Sequence, residues 1–460
     1  MPNDRLATEA TIAFPDAVSF VRKLAFGDLP PTVVAQATRC LLDLIGVAAA
    51  GTPTRASAIA RSYAASQLCG RDETARILFD GRRAGIAGAA FAGATTIDAL
   101  DGHDGHALTK GHAGVAILPA LLALCDGADP RQSVDGREFL TCLTLGYEVA
   151  TRAGIVQHAT VSEYHCSGSW NSLGCAAVAA RMLSFDQDRV REALGIAEYF
   201  GPRGQMLRTC DSPSMVKDGS GWGAHVGITA AWLAREGYTG APAVIVEGTR
   251  HTTHCWNDLG TCWRILEQYF KAYPVCRWAQ PALEAVVELQ HAHRFDADDI
   301  AHISIDTFRE AVALGSQCSV PKTTEEAQYS LPYPVAAMLV FGRVGAEEIE
   351  APKLADARVR RLLSRMTLTE NAEYSRLFPA ERWARVRITL NEGGTLVSQP
   401  ARARGGPDNP MADGELRSKY FELAEPVLGR LRAQRIERLV DELRDGGALV
   451  ELLEELLQPA

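Results

Sequence analysis

The sequence contains no CxxC pair, although it has eleven cysteines, an odd number spread from Cys40 to Cys318. That spacing fits neither a disulfide framework nor an iron-sulfur or zinc knuckle, so the thiols are expected in the core of a protein kept in a reducing compartment. There is no basic excess either: 47 Lys and Arg stand against 56 Asp and Glu, a net charge of -9. Nucleic acid and anionic membrane both reward clustered positive charge, and neither is expected as a partner. The amino terminus, MPNDRLATEA, lacks the basic start and apolar stretch of a signal peptide, which points to a cytoplasmic location. The apolar run Val115 to Leu124 is interrupted by Pro119 and is far shorter than the ~20 residues of a membrane span. It reads as a buried helix. Short-period repeats and low-complexity tracts are also missing.

What is present suits a large core: 460 residues, 47% hydrophobic and 22% charged. A single core stops growing at roughly 250 to 300 residues, so two domains are expected, with the site favoured at their seam. From residue 12 to 270, Ala and Leu recur at helical spacing, as in Val33, Ala37, Leu41, Leu42 and Ile45. Small-residue stretches such as GIAGAAFAGATTIDALDG let helices approach closely. The texture changes near Lys271, where KAYPVCRW reads as extended, and strand-like alternation appears in AHISIDTF and ARVRITLNEGGTLVSQP. The second of these predicts a hairpin around Asn391 to Gly394. Helices are expected between the strands, at Pro334 to Gly342 and Ala355 to Met366. After RARGGPDNP they return, from Asp413 to Leu431 and Ile436 to Leu457. The predicted fold is mostly α: a large all-helical domain formed by both chain ends (1–270 and 408–460) and a smaller inserted α+β domain (271–407).

Four polar islands interrupt this pattern. DALDGHDGHALTKGH, from Asp98 to His112, places three Asp, three His and one Lys between two apolar helices, a density suited to mutual pKa shifts and general acid-base work. Isolated, such residues are more often helix caps in a solvated loop. His103, Asp104, His106 and His112 could also offer metal ligands, but their spacing matches no HExxH-type site, and no metal is assigned. YHCSGSWNSLG reads as a helix entrance whose N-H groups and Ser167, Ser169 or Asn171 can hold a carboxylate, with His165 supplying a proton or a hydrogen bond. The third island carries Arg203 and leaves Lys217 beside a glycine-rich turn. Lys271 and Arg277 follow at the change of texture, where two lysines facing the seam would stabilise developing negative charge. The fourth, AQYSLPYPVA, offers Tyr329 and Tyr333 ahead of an apolar helix.

In order, LLDLIGVAAAG, DALDG with HAGVAILPALLAL, YHCSGSWNSLGCAA, MVKDGSGWGAHVGITAAWLAREGYTG, KAYPVCR, AQYSLPYPVA and GGPDNPM resemble the MmgE/PrpD family, which includes 2-methylcitrate dehydratase, cis-aconitate decarboxylase and iminodisuccinate epimerase. The likeness spans nearly the whole chain. It implies the two-domain fold just described, a homodimer, and chemistry on a small di- or tricarboxylate without metal or organic cofactor. Carried over by motif, the catalytic residues would be Asp98, His112, His165, Lys217, Lys271 and Tyr333, with Asp101, His103, Ser167, Arg203 and Arg277 as substrate contacts. The sequence departs from the family where Gly102 follows Asp101, where HDGHALTK lengthens the loop, and where Gln280 replaces a common histidine. The stretch His103 to Lys110 is therefore the expected source of this chain's specificity.

The leading expectation is a lyase that dehydrates or hydrates a hydroxy-polycarboxylate. Its alternatives are an epimerase or decarboxylase of a related acid and, from other classes, a metal-dependent hydrolase or a non-catalytic carboxylate-binding protein. Replacing Lys271, at an apparent domain junction, is expected to harm catalysis more than stability.

Overall fold

The computed structural model describes residues 13–127, 134–248, 254–316, 320–447 and 449–460. Cys318, the last cysteine of the sequence, lies outside them. Helices dominate; the five-stranded sheet is confined to the second half of the chain, and two short two-stranded ladders accompany it.

The helix Pro31–Gly51 opens on Pro31, whose missing N-H has no intrahelical partner to lose. Its second half, Cys40 to Gly51, is buried all round. At 21 residues and a mean hydropathy of 1.5 it is long and apolar enough to cross a membrane. The sequence reading missed this, having weighed only Val115 to Leu124. In the fold, 72% of that apolar window is covered, much of it by the helix Asp413–Leu428, whose Tyr420 ring lies against Gly46. Gly114–Gly127 is the expected buried helix and does contain Pro119. The neighbouring helix Ile86–Asp98 makes room for that ring with a glycine, since a Cβ on Gly93 would meet Pro119 Cβ at 2.8 Å. Gly136–Thr160, Gly168–Met182 and Ser220–Arg235 complete the central layers, packed on one another.

The strand Ile300–Thr307 pairs in parallel with Met366–Glu370 and antiparallel with Trp383–Leu390, which in turn pairs with Thr395–Val397 and Ala401–Arg402. Ile303, Ile305, Val386 and Ile388 point into the core, and their alternation is the period-2 signal read from the sequence. The hairpin turns through Gly393 and Gly394, both at positive φ. Three element boundaries differ from expectation. The helix predicted to Met366 stops at Leu363, and Met366 instead begins a strand whose partner is 63 residues earlier in the register Ile303↔Met366. The C-terminal helices are three, Asp413–Leu428, Arg430–Glu442 and Leu449–Leu456. KAYPVCRW is a turn-rich crossing rather than a strand; only Gln268–Tyr269 before it pairs, with Gly105–His106.

That two-residue ladder matters for the site, because it fastens the Asp98–His112 loop to the segment that carries Lys271.

Candidate active site

Helix ends deliver most of the polar groups to one place. Asp98 closes the helix Ile86–Asp98, His112 precedes Gly114–Gly127, Ser167 stands before Gly168–Met182, and Lys217 precedes Ser220–Arg235. Lys271 follows the short ladder, and Gln328 ends the helix Thr324–Gln328 of the second domain. Gly105 is required at the loop's closest approach: a Cβ there would lie 2.6 Å from both His112 Nδ1 and Tyr269 Oη.

Two lysines face two aspartates. Lys217 Nζ donates to the Ala99 carbonyl at 2.8 Å and to Gln328 Oε1. Lys271 Nζ donates to the Asp101 carbonyl at 3.1 Å and forms an ion pair with Asp101 Oδ1. Gln328 bridges the group, since its Oε1 also accepts the Asp101 N-H at 2.9 Å. The fields separate the lysines. Burial weakens the hold of Lys217 on its proton, with Asp101 and Asp98 opposing that only in part. Burial acts on Lys271 in the same sense, but the adjoining Asp101 outweighs it and the ammonium is held above its ordinary value. Asp101 is pushed up by burial and pulled below the usual carboxylate range by Lys271, His112 and Lys217. Asp98, also buried, is raised to about 6, chiefly by desolvation, with Lys217 opposing. Its neighbour Asp218 is raised further, by burial and then by Asp98.

His112 Nδ1 lies 2.5 Å from the Asp104 carbonyl. A carbonyl only accepts, so Nδ1 carries the proton and Nε2 keeps its lone pair. Burial, followed by Lys271, holds His112 down to about 3 against the pull of Asp101. The imidazole is neutral at physiological pH, deeply set yet partly open. His103 stacks edge-on against it at 4.4 Å between ring centroids. Its Nδ1 faces the Leu100 carbonyl at 3.3 Å, and its buried Nε2 has no partner among the described residues. The site thus presents two neutral imidazoles, one stable ammonium, and one ammonium readier to release its proton.

Of the residues singled out from sequence, Asp98, Asp101, His103, His112, Lys217 and Lys271 are brought together. Ser167 joins them in another capacity: it accepts the His112 N-H at 3.0 Å and gives its own hydroxyl proton to Asp218, so it holds the His112 main chain and is not free for a carboxylate. His165 lies to the side, beside His158 and bridged to Gln205, with Nδ1 unpartnered among the described residues. Three expectations are corrected. Tyr333 is fully buried and donates its hydroxyl to the Glu348 carbonyl, so its phenol serves the packing of the second domain. Arg203 is exposed on the helical domain, 3.9 Å from Glu198. Arg277 is buried and clasped by the carbonyls of Phe270, Ala403 and Arg404, which ties chain segments together instead of offering a free fork.

Sequence reasoning missed Asp218, Gln328, Tyr269 and the role of Tyr329. Tyr329, unlike Tyr333, lies beside the site: the Lys217 ammonium is 5.9 Å from its ring centroid, and its buried hydroxyl is raised by burial and then by Asp101 and Asp98. Gln328 and Tyr329 stand in the quoted AQYS motif, and Asp218 directly follows Lys217, so adjacency was the available signal.

Asp101, His103 and His112 have ligand atoms within 4.8 Å of one another, a donor set of the zinc or iron(II) type. Asp101 is already engaged by Lys271, and Lys217 stands near; two ammoniums oppose a divalent cation at that carboxylate. A cleft of about 740 Å³ between Gln67–Gly88 and His225–Arg235 contains none of the site residues.

Family comparison agrees with the sequence resemblance. Residues 16–256 match the MmgE/PrpD N-terminal domain and residues 273–445 the MmgE/PrpD C-terminal domain. The chain belongs to the MmgE/PrpD family. Among MmgE/PrpD relatives, the cis-aconitate decarboxylase-like protein oryM of Aspergillus oryzae (strain ATCC 42149 / RIB 40) is 26% identical, the match covering 95% of each chain. The cis-aconitate decarboxylase of Homo sapiens is 25% identical over 92% of this chain and 90% of its own. The 2-methylcitrate dehydratase of Cupriavidus necator is 26% identical over 71% of this chain and 68% of its own. The protein is therefore an enzyme of a carboxylate-acting lyase and decarboxylase family.

Proposed function

We propose that this MmgE/PrpD enzyme is a lyase that dehydrates a small hydroxy-polycarboxylate by general acid-base catalysis. The observation that carries this reading is the neutral His112, its Nε2 lone pair without a hydrogen-bond partner among the described residues, beside two lysines held at opposite proton affinities. His112 Nε2 takes the proton from the carbon next to a carboxylate. Lys271, kept charged by Asp101, stabilises the enediolate-like charge. Lys217, the weaker-holding ammonium, gives its proton to the departing hydroxyl. The C-H and C-O bonds break, the alkene forms, and water leaves. Tyr329 keeps its proton and serves as a neutral hydrogen-bond donor to the substrate.

Decarboxylation is the second reading, favoured by the extent of the likeness: the relatives named cis-aconitate decarboxylase match 92 to 95% of this chain. There carbon dioxide leaves and Lys217 returns a proton to the carbon. The same reading makes the protein a cytoplasmic homodimer that works without metal or organic cofactor and has neither nucleic acid nor membrane as partner. The test is proton NMR in D2O with a panel of hydroxy- and unsaturated di- and tricarboxylates. New alkene signals report elimination, carbon dioxide release reports decarboxylation, and deuterium in an unchanged skeleton reports epimerisation. If no acid in the panel exchanges a proton, the acid-base reading fails.

A further inference from the structure

A cleft of about 220 Å³ opens between the two domains and is lined by Tyr269, whose ring centroid lies 6.4 Å from that of His112. Its walls come from both domains: His106 to Leu108 and Glu267 from one, Ala380 to Arg382, Arg402, Ala403 and Gly406 to Asn409 from the other. Three guanidiniums line it, and two are committed. Arg277 is held by main-chain carbonyls, as described above, and Arg402 faces Glu381 at 3.8 Å and Asp408 at 3.5 Å. Arg382 has no such partner. Its one hydrogen bond among the described residues is a long one, Nη2 to the Ala107 carbonyl at 3.4 Å, and its buried Nε has none. No carboxylate of the described residues stands within ion-pair distance of it. What orients it is ring contact, 5.8 Å to the centroids of both Tyr269 and Phe378. The charge is felt in the site, for Arg382 is among the groups that depress His112 and Arg277. A partly buried guanidinium beside a second one, without an acid of its own, is the arrangement that receives an anion, and its planar fork suits a carboxylate.

We propose that Arg382 anchors a second carboxylate of the substrate, remote from the carbon on which His112 acts, so that the enzyme selects di- and tricarboxylates that reach past Tyr269 into the seam. This inference rests on the reading of His112 and the two lysines as the reacting centre, and it adds the feature that sets substrate class.

The experiment is isothermal titration of the full-length protein with citrate, succinate and propionate, comparing wild type with Arg382→Met, Arg382→Gln and Arg382→Lys, and checking each by thermal melt. Charge-assisted hydrogen bonds are worth roughly 10- to 100-fold in affinity, so Met and Gln variants should bind citrate and succinate weaker by about that factor, with propionate unchanged. Lys should restore part of the loss. Melting temperatures should stay near wild type, because the side chain makes one long bond in the fold. Citrate and succinate binding that is the same in wild type and Arg382→Met would overturn this inference and leave the proposed chemistry standing. Failure of wild type itself to bind any polycarboxylate would overturn the chemistry and the anchor together. A uniform loss for all three acids would assign Arg382 to general folding and also refute the anchor.

Discussion

One main-chain contact prepares His112 for the role proposed above: the Asp104 carbonyl fixes its proton on Nδ1 and leaves the Nε2 lone pair to act as base. His112→Gln keeps a polar side chain of similar reach and removes the base, so kcat should fall roughly 10²- to 10⁴-fold, measured under saturating substrate. Because His112 is held at about 3, it stays neutral across the working range and contributes no limb to the pH-rate profile. An acid limb near pH 6 should come from Asp98 and should move in Asp98→Asn. For stability the sign follows from proton counting. Between the ordinary imidazole value of 6.5 and about 3 the unfolded chain binds a proton that folded His112 refuses, so wild type loses stability as pH falls through that window. In His112→Gln thermal melts should decline less steeply over the same interval. Lys271 shows where sequence misled. It looked like a junction residue, yet it is 1% exposed and paired with buried Asp101. Removing one partner of such a pair costs about 3–5 kcal/mol, so Lys271→Met should lower the melting temperature as well as turnover, and Lys271→Met with Asp101→Asn should recover part of the stability. The site's acids, bases and cations were legible because polar residues in an apolar setting stand out. Which tyrosine faces the site was not. Tyr329 caps one short helix and Tyr333 lies in the first turn of the next, and that change of direction is tertiary.

At the scale of elements, the helix Asp413–Leu428 does more than cover Pro31–Gly51. Its Lys419, buried, pairs with Asp43 at 2.5 Å and donates to the Gly102 carbonyl at 2.7 Å, inside the Asp98–His112 loop. Next to it Tyr147 donates to Asp104 at 2.7 Å, the residue whose carbonyl orients His112. The loop is therefore braced from behind by the helices Asp413–Leu428 and Gly136–Thr160. Lys419→Met strands Asp43 in the core: a loss of about 3–5 kcal/mol is expected from chemical denaturation, together with a lower kcat as Asp104 and His112 drift. An unchanged kcat in a folded variant would show that the brace is not needed. The helical half and the Ile300–Thr307 strand were readable from periodicity, since burial on one face writes a 3.6 or 2.0 repeat. Met366–Glu370 was not: only its ends of chain context identify it, as an edge strand whose residues are mostly exposed or half-exposed and so carry no alternation.

For the whole molecule, the two domains share one site. Lys217 contacts Gln328, 111 residues away, and Arg382 lines a cleft with His106. A protein expressed as residues 16–256 alone lacks Lys271, Gln328, Tyr329 and Arg382 and should show no turnover in the NMR assay. Conversely, a polycarboxylate bound at the seam should stabilise the intact chain by about 2.7 kcal/mol at 100 times its Kd, visible as a rise in melting temperature. Dialysis against a chelator should leave activity unchanged, since ammoniums already occupy the neighbourhood of Asp101; a required stoichiometric ion would reverse that conclusion.

Lys419 and Asp43 are 376 residues apart in the chain. On the ribosome, then, Asp43 and the apolar face of Pro31–Gly51 emerge long before the helix that neutralises and covers them. Contacts of such separation form slowly, and a domain whose two ends must meet cannot finish folding while it is being made. Synthesis is then the expected vulnerable moment, while the apolar face of Pro31–Gly51 waits for Asp413–Leu428, and demand for a chaperone should be greatest just before Lys419 leaves the exit tunnel.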